Sequence, residues 1–125
     1  MLETLRVEGT DDNPEVVLDQ GNGRFKISGM SLPEDASTFY NPIISWVSDY
    51  AQNPNDETIF EFDMEYFNSS SARKLVEIII ELEHLVIIGK QVKVVWKFSS
   101  KDEIMEERGE EISSIVEVPF VFQPY

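Results

Sequence analysis

Residues 58 to 88 constrain the fold more than any other stretch. From Thr58 to Phe67 apolar and acidic residues alternate, which is the period of a strand with one buried face. From Ala72 to Ile88 the apolar residues recur at helical spacing. Between them stand Asn68, Ser69, Ser70 and Ser71, followed by Arg73 and Lys74. The stretch predicts a strand, a turn rich in hydroxyls, and a long amphipathic helix.

The flanking sequence extends this into an alternating pattern. Leu2 to Val7 is a candidate first strand and Thr10 to Pro14 a polar turn. Glu15 to Asp19 and Arg24 to Ser28 are short strands around Gln20-Gly21-Asn22-Gly23, whose glycines and asparagine supply the positive φ angles of a tight hairpin. Gly29 to Asp35 reads as a loop. Phe39, Ile43, Trp46, Val47 and Tyr50 form one helical face ending near Gln52. Pro42 leaves two starts open, either near Ser37 with a distorted opening or at Pro42 with Asn41 as cap. In the strand from Thr58, Phe60, Phe62, Met64 and Tyr66 share the inner face. In the helix after the serines, Ala72, Leu75, Val76, Ile79, Leu82 and Val86 face inward, widened by Ile78, Ile80 and Leu85, and Gly89 stops it. Gln91 to Phe98 is a strand with Val92, Val94, Trp96 and Phe98 inward. Ser100-Lys101-Asp102-Glu103 has the form of a capping box opening an acidic helix to about Ile115. Its inner side takes Ile104, Met105, Arg108, Ile112 and Ile115, and Gly109 weakens its middle. Val118, Phe120 and Phe122 make a last strand, placed at an edge by Pro119.

Strands alternating with helices require crossovers and a largely parallel sheet in the second half. The strands alternate rather than running apolar throughout, so one sheet face meets helices and the other is open. The open face is basic on two strands (Arg24, Lys26; Lys93, Lys97) and acidic on a third (Glu61, Asp63, Glu65), an arrangement suited to cross-strand charge pairs.

The 125 residues fit one domain with one core. The absence of cysteine removes disulfides, thiolate metal sites and a cysteine nucleophile, and the single histidine removes a multi-histidine zinc site. No cofactor motif is found: Gly21-Asn22-Gly23 lacks the lysine and helix of a phosphate loop. A net charge of −14 disfavours nucleic acid and anionic membrane as partners and permits a basic protein. No signal segment or membrane-length apolar run is present, so a soluble cytoplasmic protein is expected. His84 lies about four turns, roughly 20 Å, from the serines, too far for Ser–His activation. Asp63 and Glu65 share a strand face and could serve as an acid–base pair or bind a small molecule, but lysines are expected beside them.

The junction is over-supplied for a helix cap. One cap needs one hydroxyl or amide, and four such residues stand in a row. Arg73 and Lys74 sit near the positive end of the helix dipole, whereas Glu77, Glu81 and Glu83 come late, so the charges oppose the dipole at both ends. Arg73 and Glu77, four apart, can offset part of this. A phosphate at the helix start would resolve the conflict, meeting free N–H groups and two cations.

The chain also resembles the SiaC family of regulatory phosphoproteins, which is related in fold to the STAS domains of anti-anti-sigma factors. Three stretches carry the resemblance: Ser31-x-Pro33-Glu34 with Ile44-x-Trp46-Val47; Tyr66-Phe67-Asn68-Ser69-Ser70-Ser71-x-Arg73; and Val92-x-Val94-x-Trp96 with the acidic helix and Pro119-Phe120. The resemblance implies a single STAS-like regulatory domain over residues 1–125, an α/β fold with a mixed sheet of five to six strands and three helices mainly on one face. It implies a regulator rather than an enzyme. In the family, the hydroxyl after the asparagine is phosphorylated by a cognate serine/threonine kinase and restored by a PP2C-type phosphatase. The unmodified form binds and stimulates a GGDEF-type diguanylate cyclase. By motif the phosphosite is Ser69, with Ser70 and Ser71 as alternates and Asn68, Ser70, Arg73 and Lys74 around it. A role as an anti-anti-sigma factor, sequestering an anti-sigma kinase, is the alternative implied by the fold relation.

Overall fold

The computed structural model describes residues 1–125. The elements are β1 (Leu5–Val7), β2 (Glu15–Asp19), β3 (Arg24–Ser31), α1 (Ala36–Tyr50), β4 (Glu57–Phe67), α2 (Ser69–Ile87), β5 (Gln91–Phe98), α3 (Glu103–Ser114) and β6 (Phe120–Pro124). One six-stranded sheet runs β1-β2-β3-β4-β5-β6 in spatial order. The pairs β1–β2 and β2–β3 are antiparallel; β3–β4, β4–β5 and β5–β6 are parallel. Crossovers through α1, α2 and α3 join the parallel strands, and residues of all three helices enter one core cluster, so the helices share one face. This is the expected mixed sheet, with six strands and β6 at an edge.

The core is one cluster of 25 buried residues on the helix side of the sheet. It includes Phe25, Ile27, Phe60, Phe62, Val94 and Trp96 from the strands, and Tyr40, Ile43, Leu75, Ile79 and Leu82 from the helices. On the open face the acidic strand lies between the basic ones, so a cross-strand charge pair can form, and Lys97 Nζ meets Glu61 Oε2 at 3.3 Å.

Several local expectations are corrected. In the β2–β3 hairpin only Gly23 takes a positive φ (65°); Asn22 is held instead by Asp19, whose carboxylate accepts from its backbone N–H (3.1 Å) and its side-chain amide (2.7 Å). Those bonds, the side-chain one foremost, hold the Asp19 carboxyl below its ordinary range. Of the two α1 starts left open, the earlier one holds: the helix begins at Ala36, beside Ser37, capped by Asp35, and passes through Pro42. The carbonyl that Pro42 cannot serve is that of Thr38, an exposed residue that water can reach. α3 is capped by Asp102, whose Oδ1 accepts from Met105 N at 3.0 Å, not by Ser100. Ile104 on α3 and Ile115, the residue capping its C-terminus, lie outward (69% and 67% exposed), and Ile80 and Val86 on α2 are also exposed. The apolar face of α2 is therefore turned toward Ile78 and Leu85, both fully buried. Gly109 is a packing requirement: a Cβ there would lie no further than 2.8 Å from three atoms of the Trp96 indole. The indole N–H donates to Met105 O (3.0 Å), so the ring is fixed against α3.

The correction with most consequence is a bulge where β3 meets β4. Gly29 opposes Met64 and Met30 opposes Tyr66, leaving Glu65 as the extra residue. Gly29 takes φ of +108°, which an L side chain rarely adopts. The extra residue flips the alternation. Tyr66, expected inward, is 45% exposed, and Phe67 is buried in its place. Pairing continues beyond the bulge to Ser31 and Phe67, so β3 is three residues longer than the pattern indicated. Ser31 thereby arrives, fully buried, at the end of β4.

Candidate functional site

The strand-to-helix junction of β4 and α2 is held from three sides. From β3, the carbonyl of Ser31 accepts from the Asn68 N–H (3.2 Å). From α3, Arg108 Nη1 donates to the carbonyl of Phe67 (2.7 Å), with its guanidinium 4.6 Å from the Phe67 ring centroid. From within, Asn68 is the N-cap: its backbone is extended and its Oδ1 accepts from Ser71 N at 2.9 Å. The helix therefore begins at Ser69, three residues before the apolar spacing becomes visible.

The three serines have different surroundings. Ser71 is fully buried. Its hydroxyl donates to the Ser31 carbonyl (3.2 Å) and accepts from the Ser31 hydroxyl (2.8 Å). The Ser31 proton is thereby committed, so the bond between Ser31 Oγ and the Tyr40 hydroxyl (2.5 Å) has Tyr40 as donor. The chain Tyr40 to Ser31 to Ser71 ties α1, β3 and α2 together behind the junction. Burial pushes the Tyr40 phenol above its ordinary value, with the Ser31 and Ser71 hydrogen bonds opposing in part, so it stays a proton donor at neutral pH. Ser69 and Ser70, by contrast, are exposed, and neither hydroxyl has a hydrogen-bond partner within the protein. Of the four residues in the run, one caps, one is internal, and two are unused.

The two unused hydroxyls open on a groove of about 740 Å³ between the starts of α1 and α2. Glu34, Asp35 and Ser37 form one bank; Arg73, Lys74 and Glu77 stand on the other with Ser69 and Ser70. Two helix N-termini thus flank one groove. Asp35 is engaged as the α1 cap through the Thr38 N–H (3.2 Å), and the hydrogen bonds from Thr38 hold its carboxyl below the ordinary range, with nearby Lys74 contributing. Lys74 pairs with Glu77 (3.1 Å) and donates to Asn41 Oδ1 (3.3 Å). The anticipated Arg73–Glu77 pair does not form, because Lys74 takes Glu77 at a spacing of three. Arg73 is left exposed with no ion pair or hydrogen bond.

The other candidate groups do not converge. His84 is on the exposed side of α2, 3.4 Å from Glu81. Asp63 accepts from the Tyr125 hydroxyl at 2.8 Å, Glu61 holds Lys97, and Glu65 is the bulge residue. The Asp63 hydrogen bond raises the Tyr125 phenol above its usual value. No helix is long and apolar enough to cross a membrane.

Two residues of the site carried no functional signal in the sequence: Tyr40, outside the main apolar stripe of α1, and Arg108, 41 residues from the carbonyl it binds. Ser31 stood in the family pattern, but the bulge hid its place at the junction. Asp35 and Ser37 could have been found as a cap and first-turn pair preceding the α1 pattern.

The family described as SiaC family regulatory phosphoprotein matches residues 7–125. An uncharacterized protein of Pseudomonas aeruginosa strain UCBPP-PA14 is 25% identical over 124 residues, covering 99% of this chain and 98% of that one. The crystal structure of apo-SiaC from Pseudomonas aeruginosa superposes with a TM-score of 0.90 at 24% identity, over 98% of this chain and 99% of that one. A SiaC chain crystallised with the diguanylate cyclase SiaD, of which it is described as the activator, gives 0.90 at 26% identity, over 97% and 99%. The chain belongs to the SiaC family of regulatory phosphoproteins.

Proposed function

We propose that this protein is a non-enzymatic cytoplasmic regulator whose unmodified form binds and activates a diguanylate cyclase, and that phosphorylation of Ser69 prevents this. A cognate serine/threonine kinase adds the phosphate and a PP2C-type phosphatase removes it. The observation that carries the reading is the division of labour in the serine run. Asn68 and Ser71 are consumed by the fold, while Ser69 and Ser70 stand free at a helix start beside an uncommitted Arg73. Ser69 is preferred over Ser70 because it directly follows the asparagine, as in the family pattern. The activation reading is supported by the description of the relative SiaC as activator of SiaD.

The physical basis of the switch is local charge. A phosphoserine brings about −1.5 to −2 charges and three strong acceptors. At a helix start that charge is favourable by roughly 0.3–1 kcal/mol. It can engage Arg73 and compete with Glu77 for Lys74. The groove already holds Glu34, Asp35 and Glu77, so the modified surface becomes strongly anionic and presents a different docking face to the cyclase. Incubation with the kinase and ATP followed by mass spectrometry tests the site. Ser69→Ala is expected to lose the phosphate and Ser70→Ala to keep it; unchanged labelling of Ser69→Ala would overturn the assignment.

A further inference from the structure

α3 buries Met105, Gly109 and Ile112 and turns a second apolar pair away from the protein. Ile104 and Ile115 are eleven positions apart, which on a helix returns to within about 20° of the same direction, roughly 16 Å along the axis. Glu107 and Glu111 fall between them on the same stripe, at steps of three, four and four, with Glu103 and Glu110 beside it; all four glutamates are exposed. None of these carboxylates makes an ion pair. The one cation of the helix, Arg108, is spent on the Phe67 carbonyl. Single exposed isoleucines are ordinary on a protein surface. Two in register, bracketing the unpaired carboxylates of Glu107, Glu110 and Glu111 with that of Glu103 just outside, form a face with a defined length and sign.

We propose that the outer face of α3 is a docking surface for a basic segment of another protein, one with two apolar side chains about 16 Å apart and lysines or arginines between them. The apolar groups would cover Ile104 and Ile115 while the cations meet the four glutamates. Charge selects this occupant. A second copy would bring two such acidic faces together on chains that each carry a net −14, and nucleic acid or an anionic membrane would be repelled likewise. The face is separate from the Ser69 groove. Its helix nevertheless holds the strand end next to Asn68 through Arg108, so it is physically joined to the junction.

The test is a titration of isoleucine-methyl-labelled protein with a synthetic peptide bearing two leucines eleven residues apart on one helical face and lysines between them. Saturable shifts are expected at the Ile104 and Ile115 methyls, with Ile80 and Ile87 on α2 and Ile88 at its end, all also exposed, unmoved. An I104E/I115E double variant and a Glu103, Glu107, Glu110 and Glu111 to Gln variant should each weaken binding by at least about tenfold while melting like the parent, since every altered side chain is exposed. Equal shifts at all exposed isoleucines, undiminished binding by either variant, equal binding of the peptide with glutamine in place of lysine, or self-association through this face would each overturn the proposal.

Discussion

Replacing Ser71 with alanine separates the two roles a serine in this run can have. Ser71 Oγ accepts from Ser31 Oγ at 2.8 Å and donates to Ser31 O at 3.2 Å, and both serines are fully buried. Alanine leaves the Ser31 carbonyl with its other donor, Asn68 N, so that acceptor is still served. The Ser31 hydroxyl still accepts from Tyr40 but its own proton has nowhere to go. A buried donor left without a partner costs about 1–3 kcal/mol. Alanine recovers roughly 0.5 kcal/mol as the better helix former. The net expectation is a loss of about 0.5–2.5 kcal/mol, which at roughly 4 °C per kcal/mol lowers the melting temperature by about 2–10 °C. Thermal denaturation followed by circular dichroism reads this. The same protein offered to the kinase should still be phosphorylated on Ser69. Unchanged stability together with lost phosphorylation would refute the reasoning, because Ser71 would then be a modified residue rather than an internal one.

Other substitutions probe the same frame. Gly109→Ala places a methyl group against the buried Trp96 indole and should cost about 1–3 kcal/mol by overpacking, more than the roughly 1 kcal/mol gained in helix propensity; denaturant unfolding checks the sign. Asn68→Ala removes the α2 cap and should lose about 1 kcal/mol, with faster amide exchange confined to the first turn of α2. Arg108→Met keeps the aliphatic packing but frees the Phe67 carbonyl; loss of a charge-assisted bond of about 1.5–3 kcal/mol should likewise appear as exchange around Asn68 to Ser71. Asp35, whose carboxyl is held below its ordinary 3.8, contributes stability that is present above that value and is lost as pH falls below it. Acid titration of Asp35→Asn, which keeps a capping oxygen but cannot ionise, should show a shallower loss there than the parent.

The order of strands and helices was legible because each long element states its own period. β4 alternates over ten residues and α2 holds its stripe for four turns, and together they fix the crossovers. The features that were not legible depend on pairing between distant segments. A bulge needs two strands, so the fate of Tyr66 and Phe67 was written in β3 as much as in β4. The orientation of α3 could not be read from its own pattern, since Ile104 and Ile115 look like core residues until Trp96 claims the side with Gly109. The same holds at the site. The sequence showed an excess of hydroxyls and misplaced cations at the start of α2. It could not show that Ser71 would be absorbed by Ser31 and Tyr40, which are distant in sequence, or that Lys74, which also reaches Asn41 on α1, would take Glu77 in place of Arg73.

The central claim is that one exposed hydroxyl at the start of α2 governs binding to a cyclase. The direct measurement is calorimetric titration of the diguanylate cyclase with unmodified protein and with protein carrying phosphoserine at position 69 alone. Binding by the unmodified form and a loss of at least about tenfold in affinity for the modified form are predicted, a change of about 1.4 kcal/mol or more. Equal affinity of the two forms would contradict the account.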